Sequence, residues 1–111
     1  MINLSETQLR GIRDWAEAQP HILAVRLYGS RAKGTARPDS DIDLALTVVA
    51  KTSRLSDDDG YTAYFFSKDR WQNELSALTG LPVHVERYHA QTHPNVFRFC
   101  AELSVPLWQR Y

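Results

Sequence analysis

The sequence predicts an α/β (α+β) fold in which a small mixed sheet is packed with helices. Length, alternating periodicity and cysteine content lead to this reading. At 111 residues the chain supports one modest core, so residues 1–111 are expected to form one domain with no separate substrate domain. Helical and strand periodicities alternate along it, the pattern of a sheet covered by helices. Its single cysteine, Cys100, forms no internal disulfide and no thiolate zinc cage, so burial of apolar residues must hold the fold.

Ser5 and Gln8 suit a capping box, and Leu9, Ile12, Trp15 and Ala16 follow at helical spacing as far as Pro20. Ile22 to Tyr28 is a short β-rich run ended by Gly29-Ser30, after which a short helix or loop carries Arg31, Lys33 and Arg37. Asp41 to Val49 alternates as a strand, with Asp41 and Asp43 on one face and Ile42, Leu44 and Leu46 on the other. Lys51 to Gly60 has no apolar period and is expected to be a solvated loop. Tyr64, Phe65, Trp71, Leu75 and Leu78 suit a long helix from Tyr61, stopped by Gly80 and Pro82. Val83 to Tyr88 reads as a third strand, Pro94 as the start of a last helix, and Val105 to Tyr111 as a final strand or packed tail. Trp15, Trp71 and Trp108, with Phe65, Phe97 and Phe99, are expected in the core, although an aromatic among them is also suited to stacking on a base.

Composition excludes several classes of function. Thirteen basic side chains balance thirteen acidic ones, so the chain is not one that coats nucleic acid by neutralising phosphates, and direct nucleic-acid binding is not expected. No apolar run approaches the ~18 to 20 residues of a membrane span. Nothing near Met1 resembles a signal peptide, and a cytoplasmic location is the expectation.

The chemistry concentrates between Gly29 and Asp43. A strand that ends in Gly-Ser and opens a helix presents backbone N–H groups and a hydroxyl to an anion such as a polyphosphate. Asp41 and Asp43, two apart on a strand, project their carboxylates to one side at roughly 7 Å, a gap that a shared cation closes. Hard oxygen ligands suit Mg²⁺ or Mn²⁺, which complete their shells with water and substrate phosphates. Together these features imply a metal-bound nucleoside triphosphate.

Gly29-Ser30, Gly34, and Ser40-Asp41-Ile42-Asp43 in this register resemble the signature of the DNA polymerase beta-like nucleotidyltransferase superfamily, and the chain is most similar to its small prokaryotic minimal nucleotidyltransferases. The resemblance implies transfer of a nucleoside monophosphate, AMP from ATP, to a hydroxyl with release of pyrophosphate. It places Gly29, Ser30 and Ser40 on the nucleotide, with Arg31 and Lys33 adding positive charge near the phosphates. It makes Asp41 and Asp43 the metal-binding, catalytic carboxylates. Minimal members commonly act as antitoxins that modify a separate helical partner of the HEPN type, so such a partner, or self-association, is expected to supply the acceptor.

One position departs from the family pattern. The third carboxylate of the family falls on the later strand, where this chain reads Val83-His84-Val85-Glu86. His84 occupies the acid's place, and Glu86 shares its face about 7 Å further along. Three readings follow: His84 acts as the catalytic base, Glu86 reaches in as a metal ligand, or the protein is a catalytically weakened nucleotide-binding or interaction module. An imidazole is a poor Mg²⁺ ligand but a competent proton acceptor. His89 and His93 lack an evident third ligand and are expected to be structural or solvated.

Overall fold

The computed structural model describes residues 2–49 and 61–110. Its elements run α1 (Glu6–Glu17), β1 (Ile22–Tyr28), α2 (Ser30–Lys33), β2 (Ile42–Val48), α3 (Tyr61–Thr79), β3 (Val83–Arg87), α4 (Pro94–Glu102) and β4 (Val105–Gln109). The solvated loop expected over 51–60 lies outside the described residues. No helix among those residues is long and apolar enough to cross a membrane.

The four strands form one mixed sheet in the order β3-β2-β1-β4. β1 pairs antiparallel with β2 and β4, whereas β2 and β3 are parallel. A parallel pair needs a crossover connection, and α3 lies between these two strands in the chain. The C-terminal segment is thus a strand, with Pro106 tolerated because β4 is an edge.

Strand alternation divides the sheet into two faces. Val25 and Leu27 of β1, Leu44 and Leu46 of β2, and Val83 and Val85 of β3 join one buried cluster with Ile12, Trp15 and Ala16 of α1 and Trp71 and Leu75 of α3. Trp15 meets Trp71 edge-to-face at 6.2 Å between ring centroids, and its Nε1 donates to Glu74 at 2.9 Å. The capping box of α1 is complete, with Ser5 and Gln8 each bonding the other's backbone N–H.

Two aromatic expectations are corrected. Phe65 is 62% and Phe99 47% exposed. The buried positions of α3 are Tyr64, Trp71, Leu75 and Thr79, so Phe65, one residue beyond Tyr64, and Leu78 fall off the stripe that meets the sheet. In α4 it is Cys100 that is buried, while Phe97 is half-buried and stacks on Tyr88 at 4.9 Å. Trp108 packs against the core from a partly buried position.

Candidate functional site

The opposite face of the sheet carries the polar residues. Tyr28 of β1 pairs in register with Asp43 of β2, which in turn pairs with His84 of β3. Neighbours in register project to the same side, so these three form one row across the sheet, at the end where β1 leaves and β2 enters. Glu86 lies one step along, opposite Ala45. α4 packs against β1, where Arg26 Nε donates to Ser104 Oγ at 2.8 Å.

Gly29 closes β1 with φ 76° and ψ −160°, a backbone conformation restricted to glycine. A second reason for glycine is proximity, since a Cβ on Gly29 would stand 2.5 Å from an Oδ of Asp43. The Asp43 carboxylate therefore rests against the bend itself. The Gly29 carbonyl accepts from the N–H groups of Ala32 and Lys33. The N–H groups of Ser30 and Arg31, at the start of the one-turn α2, have no intrahelical acceptor.

Asp43 is half-buried, and desolvation, first among its causes, pushes its carboxyl above the ordinary carboxylate value. The charges of Asp41 and Glu86 push the same way, while His84 opposes them. Burial likewise raises the Tyr28 phenol, reinforced by the charges of Asp43 and Glu86. Asp41 stands just before β2, and its Oδ2 lies 2.8 Å from His84 Nε2. At that distance the Asp41 carboxylate fixes the orientation of the His84 ring.

The structure gives several expected nucleotide contacts a different task. Arg31 is only 5% exposed. Its guanidinium donates to the carbonyls of Asn3 at 2.7 Å, Pro38 at 3.0 Å, Ser40 at 2.9 and 3.0 Å, and Arg37 at 3.3 Å. Rather than facing phosphates, it ties the 37–40 turn that delivers Asp41 to the sheet. Ser40 closes the same turn, its Oγ accepting from the Arg37 N–H at 2.9 Å. Lys33 is exposed beside Gly29, where it lines a cavity with Tyr28 and α4. Because an ammonium cannot reproduce the Arg31 fork, Arg31→Lys is expected to lower unfolding free energy by about 1.5–3 kcal/mol. Denaturant titration checks this, and an unchanged midpoint would contradict it.

Glu86 does not join the Asp41–Asp43 pair. Its carboxylate accepts from Tyr64 Oη at 3.3 Å, pairs with Lys68 Nζ at 3.5 Å and faces His93 Nε2 at 3.5 Å. Burial holds His93 below the ordinary imidazole range, although the Glu86 charge works against that shift. Sequence reasoning missed this cluster because α3, β3 and the start of α4 converge only in the folded chain. Among the described residues no three His, Cys, Asp or Glu side chains stand together in a way that could hold a metal ion. The site offers the two aspartates, with His84 as their neighbour.

The fold agrees with comparisons to known proteins. A crystal structure described as a toxin–antitoxin with AMP-PNP contains a chain of similar fold, with a TM-score of 0.66 and 16% identity over 96% of this chain and 75% of that one. No curated protein sequence matches this chain significantly. The family model for polymerase beta nucleotidyltransferases matches residues 10–109, a span that holds every strand, the Gly29 bend and both aspartates. By that match, and with a fold that agrees with it, the chain belongs to the polymerase beta nucleotidyltransferase family.

Proposed function

We propose that the protein transfers AMP from ATP, in a metal-dependent reaction, to a hydroxyl on a separate helical protein of the HEPN type. The observation that carries this reading is the contact of the Asp43 carboxylate with the Gly29 bend, in one row with His84. A triphosphate on the bend would lie beside both aspartates. Their donor set fits Mg²⁺ or Mn²⁺ arriving with the nucleotide, because magnesium is commonly held by one or two carboxylates while phosphates and water fill its shell. The description of the structural neighbour, a toxin–antitoxin with an ATP analogue, supports both the nucleotide and a protein partner.

The residues divide the work as follows. Gly29 admits the triphosphate to the backbone, the N–H groups of Ser30 and Arg31 donate to it, and Lys33 adds charge at its edge. Asp41 and Asp43 would hold the metal, which when bound neutralises charge on the entering and leaving oxygens. The acceptor oxygen bonds to the α-phosphorus as the bond to pyrophosphate breaks. Its proton passes to the His84 imidazole, which the Asp41 carboxylate, 2.8 Å from Nε2, holds in place. This assigns the place of the third carboxylate to a base and leaves Glu86 to its own cluster.

A second reading draws on the same geometry. With two carboxylates and no third, the chain would be a nucleotide-binding or interaction module with little turnover. The test uses α-labelled ATP, Mg²⁺ or Mn²⁺, and a separate helical protein of the HEPN type as acceptor. Label is expected on the partner with wild type, reduced about 10²- to 10⁴-fold in His84→Ala. ATP binding without transfer, together with turnover gained in His84→Asp, would replace the first reading by the second. Failure of the wild type to bind any nucleotide with either metal abundant would end both.

A further inference from the structure

Beside the bend lies a cavity of about 300 Å³ lined by Tyr28, Gly29, Lys33, Phe99, Glu102 and Leu103. We infer that this cavity receives the nucleoside of the bound nucleotide, with Phe99 as the surface on which its base stacks.

The inference rests on the triphosphate site just proposed and extends it to the other end of the ligand. Gly29 belongs to both places, so a nucleotide with phosphates on the bend has this cavity within reach of its sugar and base. The volume lies at the lower end of the range of small-ligand pockets. Its charge is polarised: Lys33, on α2 next to the bend, favours the phosphate end, whereas the Glu102 carboxylate, on α4, repels phosphate and accepts from hydroxyl or amino groups of a nucleoside.

Phe99 itself is the clearest sign of an occupant. It is 47% exposed and Leu103, one helical turn later, is 41% exposed. Phe97, two residues earlier on the same helix, is stacked on Tyr88, but Phe99 meets no other aromatic ring among the described residues. An apolar ring open to a cavity and adjoining an anion-binding bend is what a base with a charged tail requires.

Calorimetric titration of the full chain in Mg²⁺ with ATP and, separately, with inorganic tripolyphosphate tests the assignment. Wild type is expected to bind ATP more tightly than tripolyphosphate. Phe99→Ala should weaken ATP by about 5- to 150-fold, the usual effect of removing a stacking ring, and leave tripolyphosphate unchanged. Phe99→Trp should retain ATP, and Leu103→Trp, which fills the cavity, should weaken ATP alone. Unchanged ATP affinity in Phe99→Ala and Leu103→Trp, or equal weakening of both ligands, overturns the nucleoside site while leaving the bend intact. If wild type binds neither ligand, the proposed function fails, and this inference with it.

Discussion

Asp43→Asn is expected to reduce nucleotidyl transfer by at least about 10³-fold and, at neutral pH, to make the free protein more stable. Loss of a single preorganised electrostatic contact at a reacting centre already costs about 10²–10³ in rate, and Asp43 is proposed both to hold metal and to touch the phosphate bend. The stability gain follows from its environment. Desolvation first, then the nearby Asp41 and Glu86 charges, raise the Asp43 carboxyl above its ordinary value of 3.8 despite the opposing pull of His84. A raised carboxyl means that the folded state binds the proton more tightly than the unfolded chain does. Its favourable contribution is fully present below pH 3.8 and is lost as pH rises through the folded value. At neutral pH the ionised carboxylate therefore burdens the fold, and the neutral amide relieves that burden. Melting temperatures across the acid range should show the variant's advantage appearing as pH rises and vanishing below pH 3.8. Mg²⁺ with ATP should then raise the melting temperature of wild type but not of the variant, because a bound cation favours the carboxylate. A variant that is less stable than wild type at neutral pH would refute the assignment of Asp43 as a carboxylate held at a cost for function.

How much of this was legible in the sequence depends on how local each feature is. Element order, the capping box and the Gly29 bend depend on neighbours in the chain, and the structure has them where periodicity and turn residues place them. The row Tyr28–Asp43–His84 depends on pairing between strands. The resemblance to the nucleotidyltransferase superfamily marked Asp43 as a metal-binding carboxylate and His84 as the residue in the place of the third acid, but Tyr28 has no mark that separates it from other strand aromatics. Arg31 reads as a surface charge, since arginine is seldom buried without partners. Its partners are the carbonyls of Asn3 and the 37–40 turn, which carry no side-chain signature. Phe65 and Phe99 look like core residues because hydrophobicity alone does not say which helical face meets the sheet. The same failure exposed Phe99 as a candidate for binding, so in that instance the departure from expectation lies beside the site.

Gly29→Ala should show whether the bend and the carboxylate act as one unit. A side chain at φ 76° and ψ −160° occupies a glycine-only region and costs about 1–3 kcal/mol. Its Cβ would also lie 2.5 Å from Asp43 Oδ2 and 3.3 Å from Cγ, so the carboxylate must swing away or the bend must open. Either movement separates the proposed phosphate and metal ligands, and transfer should fall by about 10²-fold or more, since small misplacements at a reacting centre have that effect. A double-mutant cycle separates steric conflict from backbone strain. In an Asp43→Ala background the conflicting oxygen and Cγ are gone, and the Asp43 Cβ, at 3.5 Å, is an ordinary contact. Gly29→Ala should then cost only the strain, and denaturant midpoints should give a coupling energy of about 0.5–3 kcal/mol between the two positions. Equal costs in both backgrounds would mean that Asp43 does not press against the bend in solution, and a Gly29→Ala protein with wild-type transfer would remove the bend from the catalytic assembly.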